Sequence, residues 1–131
     1  MVWQRRKVTS GSPWEARVGY SRAVRLGPLV WVSGTTATDT EGKVACVGDP
    51  FGQAQHAFAK IAKALEELGA GMQDVVRTRM YVTDVNDWEA VGRAHKEAFG
   101  ETGPCATLVQ VAALIDPAIL VEIEAEAVVA S

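Results

Sequence analysis

Apolar positions along this chain recur with two periods, and the changes of period divide it into strands and helices. In "GYSRAVRLG" (19–27), Tyr20, Arg22, Val24 and Leu26 alternate with Ser21, Ala23 and Arg25. "PLVWVSG" follows at once with β-branched and aromatic residues, which predicts a hairpin turning at Gly27-Pro28. The period then lengthens. Asp49 can cap a helix, Pro50 suits its first position, and Phe51, Ala54, Phe58, Ile61, Ala62, Leu65 and Leu68 recur at helical spacing until Gly69. "DVVRTRMYVTD" (74–84) returns to strand character. Asn86, with Glu89 three residues on, makes a cap-like start for a second helix. Its apolar face is Trp88, Val91, Ala94, Ala98 and Phe99, and Gly100 closes it. Pro104 opens a strand through Val111, and Ile119 to Val129 make the last. Trp3 to Val8 could add one more, while "SGSPWE" (10–15) reads as a loop and "TDTEGK" as a turn.

The predicted order is ββαβαββ, an α+β arrangement. Two amphipathic helices can cover only one face of such a sheet. The other face, to which this pattern assigns Val76, Met80, Val82, Val109 and Val111, then needs a partner, so oligomerisation through the sheet is the physical expectation.

Composition narrows the classes. The 131 residues form one domain, 1–131, and carry 48% hydrophobic and 22% charged side chains, a globular balance. The net charge of −3 argues against nucleic acid as a partner. The short basic run Arg5-Arg6-Lys7 reads as a solvated edge. Cys46 and Cys105 lack CxxC or CxxH spacing, and His56 and His95 lack HxH or HExxH patterns, so neither a disulfide framework nor a metal site is expected. The chain has no apolar run of membrane-spanning length and no signal-peptide pattern at its start. A soluble cytoplasmic protein with no membrane partner is the expectation.

Candidate chemistry is sparse. GxGxxG, GxxxxGK[ST] and GxSxG are all absent. In "VEIEAEAVV" (121–129), Glu122, Glu124 and Glu126 alternate with apolar residues and stand in one row of a strand. Such a row is either a wet sheet surface or a place where one carboxylate is held for chemistry. "VSGTTA" (32–37) ends a strong strand with Ser33-Gly34 and follows with Thr35 and Thr36. A strand-ending turn and a close backbone approach to a ligand both fit it.

Three stretches taken together carry a resemblance: "GYSRAVRLGPLVWVSGTTATDTEGK", "QAQHAFAKIAKALEELGAGMQDVVRTRMYVTDVNDWEAV" and "PCATLVQVAALIDPAILVEIEAEAVV". The Ser-Gly after the strand, Gln53, "YVTDVNDW" and "VEIEA" are its specific marks. In these the chain resembles the Rid family, also called YjgF or endoribonuclease L-PSP. The resemblance implies a chorismate-mutase-like fold and a homotrimer whose sheets line a central barrel, with ligand clefts between subunits. It also implies cofactor-free hydrolysis of enamines and imines to a 2-oxo acid and ammonia. By position, it implies a cleft with Tyr20, Ser33 and Gly34, and Glu122 as the residue that orients or activates water. It departs at Ala106, where the family's carboxylate-binding arginine should stand. Leu108 replaces a cleft cysteine and Gly92 a helix asparagine. Glu15 resembles a feature of a divergent subgroup and could add a second cleft carboxylate or be a surface acid. Arg22 or Arg79 could replace the missing cation or simply be solvated. The expectation is a homotrimer binding a small polar metabolite, with feeble hydrolysis of 2-imino acids. A non-catalytic ligand-binding or interaction module and, less well supported, a ribonuclease are the alternatives.

Overall fold

The computed structural model describes residues 2–130. The alternating segments form strands β1 (Arg5–Val8), β2 (Ala23–Leu26), β3 (Leu29–Thr35), β4 (Val75–Val82), β5 (Cys105–Gln110) and β6 (Val121–Val128). The segments of helical period form α2 (Pro50–Glu67) and α3 (Trp88–Phe99). A short helix, α1 (Pro13–Val18), stands where a loop was expected. Ser12 caps it by accepting from the Trp14 N–H, and Pro13 opens it. The Ser-Gly-Pro cluster is therefore the entrance to a helix rather than a break.

One sheet results, in the order β1-β2-β3-β6-β4-β5. Every pairing is antiparallel except β4 with β5, which α3 connects by a crossover. α2 starts as the sequence predicts, with the Asp49 carboxylate accepting from the Gly52 N–H. At its end Gly69 takes the left-handed conformation (φ 76°), and Arg25 donates to the Leu68 carbonyl at 2.7 Å. The start of α3 differs from expectation. Asp84, not Asn86, supplies the capping oxygen, to the Asn86 N–H across a single 3₁₀ turn at Val85–Asp87.

The core lies between the helices and one face of the sheet, with Phe58, Ile61, Leu65, Val32, Val82, Ile123 and Ala125 among its members. Here the structure corrects the reading of β4. Met80 (5% exposed) and Val82 (0%) face the helices rather than the bare side. The register slips between Val75 and Arg77, so Val75 is buried and Val76 is 46% exposed. A bulge inverts the parity of everything beyond it. The open face consequently carries Arg79 and Tyr81 beside the β6 glutamates, with Trp31 and Val24 on the neighbouring strands, a mixed surface rather than an apolar one. Val109 does remain exposed on β5. No helix among the described residues is long and apolar enough to cross a membrane.

His95 of α3 is half-buried at the margin of the core. Its ring packs on Phe58 and Phe99 (centroids 5.6 and 4.7 Å apart), and Nε2 lies 2.9 Å from the buried Thr78 hydroxyl. Burial holds its pKa below the ordinary value. The folded state thus resists a proton that the unfolded chain accepts, so this contribution to stability is present above the unfolded pKa and is lost as pH falls. The urea midpoint is expected to decline from pH 7 to pH 5, with a flatter profile in His95→Gln. Parallel profiles for the two proteins would remove His95 as the cause.

Candidate functional site

Ser33 and Gly34 do not end β3. They form a bulge inside it, because Val32 pairs with Ala125 while Thr35 pairs with Ile123, three steps on one strand against two on the other. The chain is held in this shape from both sides. The Ser33 N–H donates to the Arg22 carbonyl and the Ser33 hydroxyl to the Ser21 carbonyl at 2.7 Å. The Thr35 hydroxyl closes the turn on the Ser33 carbonyl.

The bulge brings Gly34 against the Glu122 side chain, and any Cβ at position 34 would run into that carboxylate. This close approach, not φ, is what favours glycine here: a side chain at position 34 would push the Glu122 carboxylate from its place. Glu122 is half-buried, and its carboxyl is held above the usual range by that burial, opposed by the Arg22 charge and reinforced by Glu124.

Glu122 opens onto a cleft of about 1000 Å³ between the segment around α1, the end of β3 and the flank of α2. Tyr20 (37% exposed), Arg22, Ser33 and Gly34 line it together with Glu122. Five positions singled out in the sequence, Tyr20, Arg22, Ser33, Gly34 and Glu122, are thus brought together in one chain.

The remaining candidates separate. Ala106 lies on the edge strand β5 beside Thr78 and is not among the residues lining this cleft. Leu108 packs against the core. Gly92 on α3 has open space where a side chain would be. Glu15 is buried but also absent from the lining, since its carboxylate accepts from the N–H and hydroxyl of Ser10 and ties down the loop before α1. Arg79 is engaged elsewhere, 3.1 Å from Glu126 and 3.7 Å from Glu124. Tyr81 donates to Glu124 at 2.6 Å. Glu124 and Glu126 are therefore paired acids on the sheet face rather than simply solvated ones.

Two residues of α2 also face the cleft: Lys60, which the sequence reading passed over, and His56, which it weighed only as a metal ligand. Lys60 Nζ donates to the carbonyls of Thr36 and Thr38 and to the Thr38 hydroxyl, at 2.8 to 3.2 Å. Burial lowers its pKa, and Arg22 lowers it further. A polar stripe at His56, Lys60, Lys63 and Glu67, beside the apolar stripe of α2, was the available signal. Among the described residues no three His, Cys, Asp or Glu side chains cluster to hold a metal ion.

Residues 10–129 match the family model described as Endoribonuclease L-PSP. A solved structure of a YjgF/YER057c/UK114 family member from Mycobacterium tuberculosis is 49% identical, with a TM-score of 0.88, and the match covers 96% of this chain and 100% of that one. A Streptomyces coelicolor protein is 44% identical over 122 residues, 93% of this chain and 90% of its own. A 2-iminobutanoate/2-iminopropanoate deaminase from Dermatophagoides farinae is 34% identical over 95 residues, 72% of this chain and 74% of its own.

Proposed function

Since the chain belongs to the endoribonuclease L-PSP family, also called YjgF or Rid, with its chorismate-mutase-like α+β fold, we propose that it hydrolyses a small enamine or imine to an oxo compound and ammonia without a cofactor. The observation that carries this reading is the half-buried Glu122 carboxylate, seated on Gly34 at the cleft wall with its pKa raised. Burial makes a carboxylate so placed a stronger base than a solvated one, as a group that takes and returns a proton requires. Water adds to the carbon of the protonated C=N group while Glu122 takes its proton. The carbinolamine then collapses: Glu122 returns the proton to nitrogen and, again a carboxylate, takes the hydroxyl proton as the C=O bond forms, the C–N bond breaks and ammonia leaves, picking up that proton as ammonium. Tyr20 and Ser33 border the space in which this occurs.

The working unit is a homotrimer with the cleft completed at a subunit boundary. Two features support this: β5 leaves one long edge of the sheet without a strand partner, and Ala106 on that edge is remote from the cleft of its own chain. The relative named as an imine deaminase supports the chemistry. Ala106 favours a second reading, a ligand-binding module without turnover, because alanine offers no donor to a carboxylate. The net charge of −3 weighs against the ribonuclease reading.

A dehydratase that releases 2-iminobutanoate, with semicarbazide as trap, tests the proposal. Substoichiometric protein is expected to suppress semicarbazone formation and speed the appearance of 2-oxobutanoate. The rate should lie about 30- to 1,000-fold below that of an arginine-bearing relative if nothing offsets Ala106, the equivalent of about 2–4 kcal/mol. Sedimentation should give three times the 14.0 kDa chain mass. No suppression at any protein concentration would leave the binding-module reading.

A further inference from the structure

The cation that the resemblance expects at position 106 is absent, yet the cleft contains a guanidinium that the fold leaves largely unused. Arg22 precedes β2, where its N–H donates to the Val8 carbonyl and its carbonyl accepts from Ser33. Both ends of the residue are therefore fixed by neighbouring strands. Its side chain reaches across the bulge, and Nη2 donates to the Gly34 carbonyl at 2.6 Å. Arg22 Nε is buried with no hydrogen-bond partner. No carboxylate comes within 4.0 Å of it, since the ion pairs among the described residues all belong to Arg79.

Two lysines, Lys60 and Lys63, also line the cleft. Three acceptors already surround Lys60 Nζ, so it serves to fasten the segment after β3 to α2. Lys63 is exposed on α2, whereas Arg22 is the half-buried cation held at the bulge, with donors to spare and no carboxylate at contact distance. It also meets the same residue as Glu122: Arg22 bonds the carbonyl of Gly34, and the Glu122 carboxylate occupies the space where a side chain of that residue would stand. A ligand lying over Gly34 would meet a fixed planar donor at one end and a proton-exchanging carboxylate at the other.

We infer that Arg22 is the anion-binding residue of this cleft, holding the carboxylate of the substrate from within the chain that also supplies Glu122. The planar fork of arginine suits a carboxylate, and a charge buried without a close counterion gains most from one. Arg22 would then offset part of the loss at Ala106. The inference rests on the hydrolase reading for the word substrate, but the selectivity for a carboxylate is measurable without turnover.

Calorimetry and NMR with 2-oxobutanoate and its neutral counterpart 2-oxobutanamide make the test, with wild-type protein first. Wild type should bind the anion about tenfold or more tightly than the amide, and the preference should weaken as salt is raised. Arg22→Met should bring the two ligands to within about twofold, while Arg22→Lys should retain part of the preference. Equal binding of both ligands to wild type overturns the inference even if Arg22→Met fails to fold. A preference that survives Arg22→Met but disappears in Lys63→Met overturns it as well. Carboxylate preference through Arg22 with no imine turnover would keep the inference and remove the hydrolase reading; turnover without preference would do the reverse.

Discussion

Glu122→Gln is expected to lower imine hydrolysis by about 100- to 10,000-fold, the usual scale for a lost general acid–base. Glutamine keeps the shape and one acceptor oxygen beside Gly34 but can neither take nor return a proton. The same substitution should leave the fold intact and make it more stable at neutral pH. The folded-state pKa of Glu122 is raised by burial, so its charged form is the one that the fold penalises. That penalty is absent below the unfolded carboxylate pKa, grows as pH rises through the folded value, and persists above it. The thermal midpoint of Glu122→Gln should therefore exceed that of wild type at pH 7, and the difference should close towards pH 4. Glu124→Gln and Glu126→Gln serve as comparisons. Their carboxylates sit by Arg79 on a partly exposed face, so each should cost at most about 1 kcal/mol of stability; Glu126→Gln should cost little activity, and Glu124→Gln, at a residue that also borders the cleft, far less than Glu122→Gln. Equal activity losses at all three positions would return the row to a structural role.

Gln53→Ala should be among the most damaging changes outside the cleft, costing about 2–4 kcal/mol in urea unfolding. Gln53 is fully buried, in the first turn of α2. Its Nε2 donates to the Ala118 carbonyl at 2.9 Å and the Cys46 carbonyl at 3.3 Å, and its Oε1 accepts from the Leu120 N–H at 2.8 Å. Alanine leaves the Ala118 carbonyl and the Leu120 N–H without these partners, while the Cys46 carbonyl keeps the Asp49 N–H, and it opens a hole among them. Since Leu120 leads directly into β6, the loss should also loosen the placement of Glu122 and weaken ligand binding in whatever fraction remains folded. Gln55→Ala, two residues on, removes only an exposed bond to Glu97 and should fall within about 0.5 kcal/mol of wild type. Similar costs at the two positions would refute the buried staple.

Much of this architecture was written locally. The Asp49-Pro50 start of α2, its end at Gly69, the hairpin at Gly27-Pro28 and the common face of Glu122, Glu124 and Glu126 all follow from residues adjacent in the chain. So does the missing arginine at Ala106, which needs no coordinates to see. The short α1 was misread because Ser, Gly and Pro serve equally as turn formers and as a helix entrance, and only the bond from Trp14 to Ser12 distinguishes them.

The site depended on information of a different kind. By its own alternation, the sequence determined which side chains of a strand share a face, since that period is a property of one extended chain. It did not determine which face meets the helices, nor where a register slip reverses the alternation, because both are set by pairing with strands distant in sequence. The slip after Val75 turned Met80 and Val82 inward, and the bulge at Ser33-Gly34 carried Gly34 onto Glu122. Pairing across the sheet gave Glu124 and Glu126 to Arg79. The same cross-strand geometry set Arg22 and Glu122 on either side of Gly34, 100 residues apart in the chain, where the energy of each charge depends on the other.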